Sequence, residues 1–174
     1  QRRVNIVTLS EYQEQAKRTL GNASMDNLIM GVIGETGEII DYLKKVMYHG
    51  HPIDKLKFEL ELGDLAWYVV SIITRSELSL TGADISVMNP IFDPPTDLHE
   101  WWWLLWEDTT SLIYTDKEGD LTTVWSCVLS VLCRIREGAD LIGSSLERVL
   151  ELNTKKLLEH YPNGFEEHRS IYRR

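Results

Sequence analysis

The chain has 174 residues, 43% of them hydrophobic and 26% charged, a composition typical of one globular domain that buries its own core. Its net charge of −9 argues against a nucleic-acid polymer as partner, because phosphate backbones are bound by clustered lysine and arginine. The longest uncharged apolar runs are much shorter than a membrane span, so no membrane partner is expected.

Helical periodicity and capping signals recur along the chain, whereas strand patterns are almost absent. Six helices are predicted, over about residues 8–20, 24–48, 54–78, 96–115, 121–137 and 144–161. The first and last begin at capping boxes, Thr8-x-x-Glu11 and Ser144-x-x-Glu147. Gly138 is expected to end the fifth helix. The segment 79–95 is predicted to be a connector and 116–119 a turn, so the chain is interpreted as a single all-α domain, residues 1–174, with antiparallel packing.

Four carboxylates repeat on the second and third predicted helices, as Glu35 with Glu38 and Glu61 with Asp64. At about 100° per residue, each pair lies on one acidic face of its helix, at the border of the apolar arc. If the two helices pack antiparallel, the pairs converge, and either their pKa values rise or cations neutralise them. A ligand set of oxygen atoms favours Mg²⁺, with Mn²⁺ as a substitute. The alternative is an ordinary solvated, charged helix face.

Three glycines, Gly31, Gly34 and Gly37, fall on the same side of the second helix as its glutamates. Each costs roughly 1 kcal/mol relative to alanine inside a helix, so their presence requires a reason. Close packing between helices is one explanation. Close approach of a metal–phosphate assembly to the helix backbone is the other.

Three blocks of sequence resemble the MazG-type nucleoside triphosphate pyrophosphohydrolases of the all-α NTP pyrophosphatase superfamily. The blocks are "GVIGETGEIIDYLKK" (31–45), "ELELGDLAWYVVSI" (59–72) and "LNTKKLLEHYPNGFEEH" (152–168). The family signature is Glu-Glu-x-x-Glu followed by Glu-x-x-Asp, and four of its five acidic positions are matched here. Gly34 occupies the position of the first glutamate, so the role of that residue is absent or is performed elsewhere, for example by Asp41.

The resemblance implies a hydrolase that cleaves a nucleoside triphosphate to the monophosphate and pyrophosphate. By the same resemblance, Glu35, Glu38, Glu61 and Asp64 bind Mg²⁺, and Glu35 or Glu38 takes the proton of the attacking water. Asp41, Lys45, Asn153 and Lys156 are predicted to contact the substrate. The family forms homodimers or homotetramers, so the resemblance also implies a four-helix core completed between chains. A dUTPase-like enzyme, an alarmone hydrolase and a non-catalytic helical interaction module, which Gly34 favours, are the alternatives.

Four of the six tryptophans lie in "WWWLLW" (101–106), inside a segment of about residues 80–120 that the smallest family members lack. Core packing combined with an oligomer interface is the favoured interpretation, and stacking of one indole on a nucleotide base is the alternative. Trp67 and Trp125 are expected in the core. The two cysteines, Cys127 and Cys133, have neither disulfide nor metal-site spacing, and no signal peptide precedes them, which together predict a cytoplasmic location.

Overall fold

A computed structural model describes residues 8–82, 94–118 and 120–164 of the chain. These ranges contain six α-helices and no β-strand, so the predicted all-α class is confirmed. In chain order the helices are α1 (Leu9–Leu20), α2 (Met25–His49), α3 (Lys55–Arg75), α4 (Leu98–Glu118), α5 (Leu121–Leu141) and α6 (Leu146–His160). Most of the predicted connector, residues 83–93, lies outside the described residues.

Side-chain caps fix the start of most helices where the sequence predicts them. Thr8 forms the predicted capping box: its hydroxyl accepts from the Glu11 amide at 3.2 Å, and the Glu11 carboxylate accepts from the Thr8 amide at 2.9 Å. The side chains of Ser24 and Asp54 cap α2 and α3, where each accepts from a single backbone amide three residues on. Satisfying these otherwise unpaired amides fixes the register of each helix relative to the loop before it.

The ends of the later helices differ from the prediction. Helix α4 continues to Glu118, beyond the predicted end near Thr115, and so includes most of the predicted turn at 116–119. Gly138 lies inside α5 and does not end it; the indole of Trp101 packs against its bare backbone, where a Cβ would lie 2.4 Å from the ring. Ser145, not Ser144, caps α6, since the Ser144 hydroxyl is bonded to the buried Glu59 carboxylate instead.

Helix α3 is central to the bundle and packs against α1, α2, α5 and α6. Helices α2 and α3 are antiparallel: Tyr42 near the end of α2 stacks on Phe58 near the start of α3, while Gly31 meets Tyr68 at the other end. This arrangement turns the apolar arcs of both helices inward, where Val32, Ile39, Leu62 and others are fully buried. It therefore also places the acidic borders of the two helices side by side.

The tryptophan-rich helix α4 divides its indoles between the core and the surface. Trp101 is fully buried, meets Phe58 edge to face and donates its indole N–H to the Arg134 carbonyl at 2.7 Å. Trp103 and Trp106 are exposed, and Trp102 stacks on Trp103 with the ring centroids 4.3 Å apart. The core part of the tryptophan prediction is therefore confirmed for Trp101, and the interface part stays a prediction.

A buried ion-pair network joins α4 to α5. The Arg134 guanidinium donates to Asp108 of α4 at 2.7 Å and to Glu137, one turn further along α5, at 2.8 Å. The network places charge inside the bundle only because the cation has two carboxylate partners. None of the described helices is both long enough and apolar enough to cross a membrane.

Candidate functional site

Three carboxylates meet on the outer edge of the α2–α3 pair. Glu35 and Glu38 lie one turn apart on α2, and Glu61 faces them from α3. One carboxylate oxygen from each lies within 4.8 Å of the other two, and we call these three residues the carboxylate cluster. The convergence follows from antiparallel packing, because each residue lies at the border between the apolar and polar faces of its helix.

The electrostatic consequence of this crowding is clearest at Glu35. Burial, followed by the nearby charges of Asp64, Glu38 and Glu61, raises the pKa of the Glu35 carboxyl from its usual 4.5 to about 7. Burial and the charges of Glu38 and Asp64 also raise the pKa of Glu61. The expected repulsion between the acids is therefore present, and a divalent cation bound among them would relieve it.

Asp64, the fourth predicted metal ligand, lies next to the cluster but is held by other groups. Its carboxylate accepts from the Asn153 amide at 3.0 Å and forms an ion pair with Lys156, both on α6. Asn153 is fully buried, and its own amide oxygen accepts from the Tyr12 hydroxyl at 2.7 Å. Burial and the Asp64 charge hold the pKa of Tyr12 well above its usual range, so the phenol remains a donor.

The predicted substrate residues therefore occupy two different environments. Asn153 is the middle of a chain from Tyr12 to Asp64, so its described contacts position a carboxylate. Asp41 and Lys45 lie at the surface about one and two turns beyond Glu38, where Asp41 accepts from Lys45 at 2.6 Å and also pairs with Lys44. The hydrogen bond from Lys44, followed by that from Lys45, lowers the pKa of Asp41 to about 2.

The three glycines of α2 have two distinct explanations. Gly31 makes room for Tyr68 of α3, because a Cβ at position 31 would lie 2.0 Å from the phenol ring. Close packing is therefore the reason for that glycine. Gly34 and Gly37 have no neighbouring atom within 4 Å of the position a Cβ would take, so packing does not require them. They leave a bare strip of helix backbone beside Glu38.

Two open cavities adjoin the site. The aromatic cleft, of about 810 Å³, borders Glu35 and Asp64, and its other lining includes Trp67, Tyr68, Asn22, Ser24 and Asn27. The lysine groove, of about 390 Å³, borders Glu38 and Glu61, and its other lining is Gly34, Gly37, Asp41, Tyr42, Lys45 and Lys57. The site is therefore open to a ligand from both directions along the helix pair.

Two residues that line these cavities, Trp67 and Lys57, are not predicted as site residues from the sequence. Trp67 was expected in the core, but it is half-buried and lines the aromatic cleft, with its indole N–H donated to Thr19 at 2.9 Å. Lys57 falls on the acidic face of α3, a position that helical periodicity gives, and its ammonium lies 5.3 Å from the centre of the Tyr42 ring. Periodicity assigns a residue to a face, but only the packing of α1 and α2 onto α3 determines which positions border a cavity.

Comparison with known proteins gives no identification, since no family model, curated protein or solved structure matches the chain. The resemblance to the MazG-type hydrolases therefore stays a prediction from the sequence. What can be argued about function comes from the geometry of the carboxylate cluster and its two cavities.

Proposed function

We propose that this protein is a Mg²⁺-dependent nucleotide pyrophosphohydrolase, which converts a nucleoside triphosphate to the monophosphate and pyrophosphate. The observation that carries the proposal is the convergence of Glu35, Glu38 and Glu61 within 4.8 Å, between two open cavities. Acidic side chains on a solvated face normally diverge. Here antiparallel packing brings them together, although burial and the neighbouring negative charges raise the pKa of Glu35 and of Glu61.

The donor atoms suit a hard divalent cation. All three are carboxylate oxygens, with neither histidine nor cysteine among them, which favours Mg²⁺ or Mn²⁺ over zinc. Glu35, Glu38 and Glu61 would hold the ion, and Asp64 would join them if Lys156 moved away. When bound, Mg²⁺ neutralises phosphate charge and makes a coordinated water more acidic.

The residues of the chain have separable roles in the hydrolysis. One water oxygen forms a bond to a phosphorus atom beside the bridge between the α- and β-phosphates, and the bond from the bridging oxygen to that phosphorus breaks. Glu35 or Glu38 accepts the proton that the water loses. Tyr12 and Asn153 fix the orientation of Asp64.

Pyrophosphate release tests the proposal. Purified protein with Mg²⁺ is given each of the eight common ribo- and deoxyribonucleoside triphosphates, dUTP and a guanosine tetraphosphate alarmone. We expect pyrophosphate from at least one nucleotide, and a loss of more than ~100-fold in the Glu38→Gln variant, because a ligand or base required in the transition state is removed. Glu14→Gln, an exposed glutamate on α1, is the matched control.

Binding can be measured without turnover. Mg²⁺ with a nonhydrolysable triphosphate should raise the melting temperature of the wild type but not of Glu38→Gln, since a ligand specific for the folded state stabilises it. Near-normal turnover in Glu38→Gln would contradict the site assignment. The nucleotides that release pyrophosphate identify the base. Activity on dUTP alone would indicate a dUTPase-like enzyme, and activity on the alarmone alone would indicate an alarmone hydrolase.

A non-catalytic interaction module is the second candidate, and a specific observation favours it. Gly34 occupies the position of a family glutamate and Lys156 is paired with Asp64, so three acids converge at the site where the family signature has five. If folded protein released no pyrophosphate from any nucleotide and showed no change in melting temperature at millimolar Mg²⁺ and nucleotide, the interaction module would be supported over the enzyme.

A further inference from the structure

The two cavities lie at opposite ends of the carboxylate cluster along the α2–α3 pair. Because the helices are antiparallel, Glu35 and Asp64 face one end and Glu38 and Glu61 face the other. Trp67 in the aromatic cleft and Lys57 in the lysine groove are ten positions apart on α3, about 15 Å along the helix axis. A ligand that touches both must therefore cross the cluster.

The aromatic cleft has the chemistry of a nucleoside pocket. Trp67 is fixed by its hydrogen bond to Thr19 and by an edge-to-face contact with Tyr68, whose ring centroid lies 4.8 Å away. Asn22 and Asn27 supply amide donors and acceptors at the rim. Neither lysine nor arginine occurs among the described residues that line this cleft. An aromatic face with neutral amides suits a heterocycle better than a polyphosphate.

The lysine groove has the opposite character. Its floor at Gly34 and Gly37 is bare backbone, so a bulky anion can approach α2 closely. Lys45 and Lys57 both line it, and Lys45 is already paired with Asp41. Within the described part of the chain, Lys57 forms no ion pair, and its ammonium rests on the face of the Tyr42 ring instead. The phenol oxygen of Tyr42 accepts from the Asp54 amide at 2.6 Å, which anchors that ring.

We propose that the nucleotide lies along the α2–α3 pair with its nucleoside in the aromatic cleft and its terminal phosphates in the lysine groove, where Lys57 binds the departing pyrophosphate. This inference rests on the proposed function, which it deepens by giving the substrate a direction. When water attacks the α-phosphorus, the electron pair of the bridging bond leaves with the pyrophosphate. The Lys57 ammonium is placed to offset that charge, and Tyr42 acts as its positioning residue.

Direct binding tests the direction independently of turnover. Magnesium pyrophosphate and each of the common nucleoside monophosphates are titrated calorimetrically into wild type, Lys57→Gln, Trp67→Leu and Lys44→Gln. Lys44 is the matched control, because it carries the same charge on the same surface but does not line the groove. Charge-assisted hydrogen bonds to phosphate predict that Lys57→Gln weakens pyrophosphate binding about tenfold or more, with monophosphate binding changed less than twofold. Trp67→Leu should do the reverse, and Lys44→Gln should affect neither.

Each outcome separates this inference from the proposed function. Loss of monophosphate binding in Lys57→Gln, with pyrophosphate binding retained, would reverse the direction and overturn the inference. Equal effects on both ligands, no effect on either, or no binding of either ligand to the wild type would also overturn it. Lys57-dependent pyrophosphate binding by a protein that releases no pyrophosphate from any nucleotide would sustain the site while refuting the activity. Nucleotide turnover that is unchanged in Lys57→Gln would support the proposed activity while refuting the role given to Lys57.

Discussion

Replacing Glu35 by glutamine should stabilise the protein at pH 8 and leave its stability nearly unchanged at pH 4.5. The folded protein raises the pKa of this carboxyl from 4.5 to about 7, so the folded state disfavours the ionised form. Its stabilising contribution is complete below the unfolded pKa of about 4.5 and is lost as the pH rises through about 7. A glutamine neither titrates nor repels its neighbours, so the variant avoids that loss.

The expected gain in the free energy of unfolding follows from the shift in the Glu35 pKa. At about 1.4 kcal/mol per pKa unit, the whole shift corresponds to about 3 kcal/mol, and solvent screening of the partly exposed side chain reduces the expected gain to about 1–2 kcal/mol. Urea unfolding at pH 4.5, 6 and 8 in the presence of a chelator measures it, with Glu14→Gln as a control that should stay within about 0.5 kcal/mol of the wild type. A Glu35→Gln variant that is no more stable than the wild type at pH 8 would refute the argument that the cluster is electrostatically strained.

Five further substitutions, arranged as three predictions, test the packing around the site and within the bundle. Gly63→Ala should destabilise the protein by about 1–3 kcal/mol in urea unfolding, because the new Cβ would lie 2.8 Å from the Asn153 Cβ. Gly37→Ala has open space around it and should stabilise the protein by up to about 1 kcal/mol. Equal effects of the two substitutions would contradict this difference. Tyr12→Phe should cost about 1–2 kcal/mol and lower turnover by loosening Asp64, and a variant as stable as the wild type would show that the Asn153 oxygen finds another donor. Asp108→Ala should cost about 1–3 kcal/mol because it leaves Arg134 with Glu137 alone, while Glu151→Ala, which breaks an exposed pair with Arg148, should stay within about 0.5 kcal/mol in the same assay.

The sequence resemblance and the folded structure place Asp64 in different surroundings. The sequence motif groups Asp64 with the three glutamates, but in the folded chain Lys156 and Asn153 hold Asp64. A carboxylate has about four acceptor positions, so Asp64 can bind a metal ion beside this ion pair, and more freely if the lysine takes a phosphate as its partner. If Lys156 binds a substrate phosphate, as the resemblance implies, the Asp64 carboxylate loses this partner and becomes available to a metal ion.

The sequence by itself determined the helices and the faces on which the acids lie. Caps at Thr8, Ser24 and Asp54 are local interactions between residues three apart, so they can be recognised without a tertiary structure. Helical periodicity likewise assigns Glu35, Glu38 and Glu61 to borders of apolar arcs, and antiparallel packing of two such helices is enough to predict their convergence. These features depend on contacts within one helix or between adjacent helices.

The other features of the fold and of the site depended on contacts between residues far apart in the chain. Gly138 packs against Trp101 inside α5, and the Ser144 hydroxyl is bonded to Glu59 rather than to the start of α6, so a tertiary contact can replace a local signal. The same holds at the site, where Asn153 reaches Asp64 only because α6 packs against α3. Trp67 and Lys57 border cavities for a similar reason: the volume left open beside a helix is set by its neighbours, and a periodic pattern carries no information about that volume.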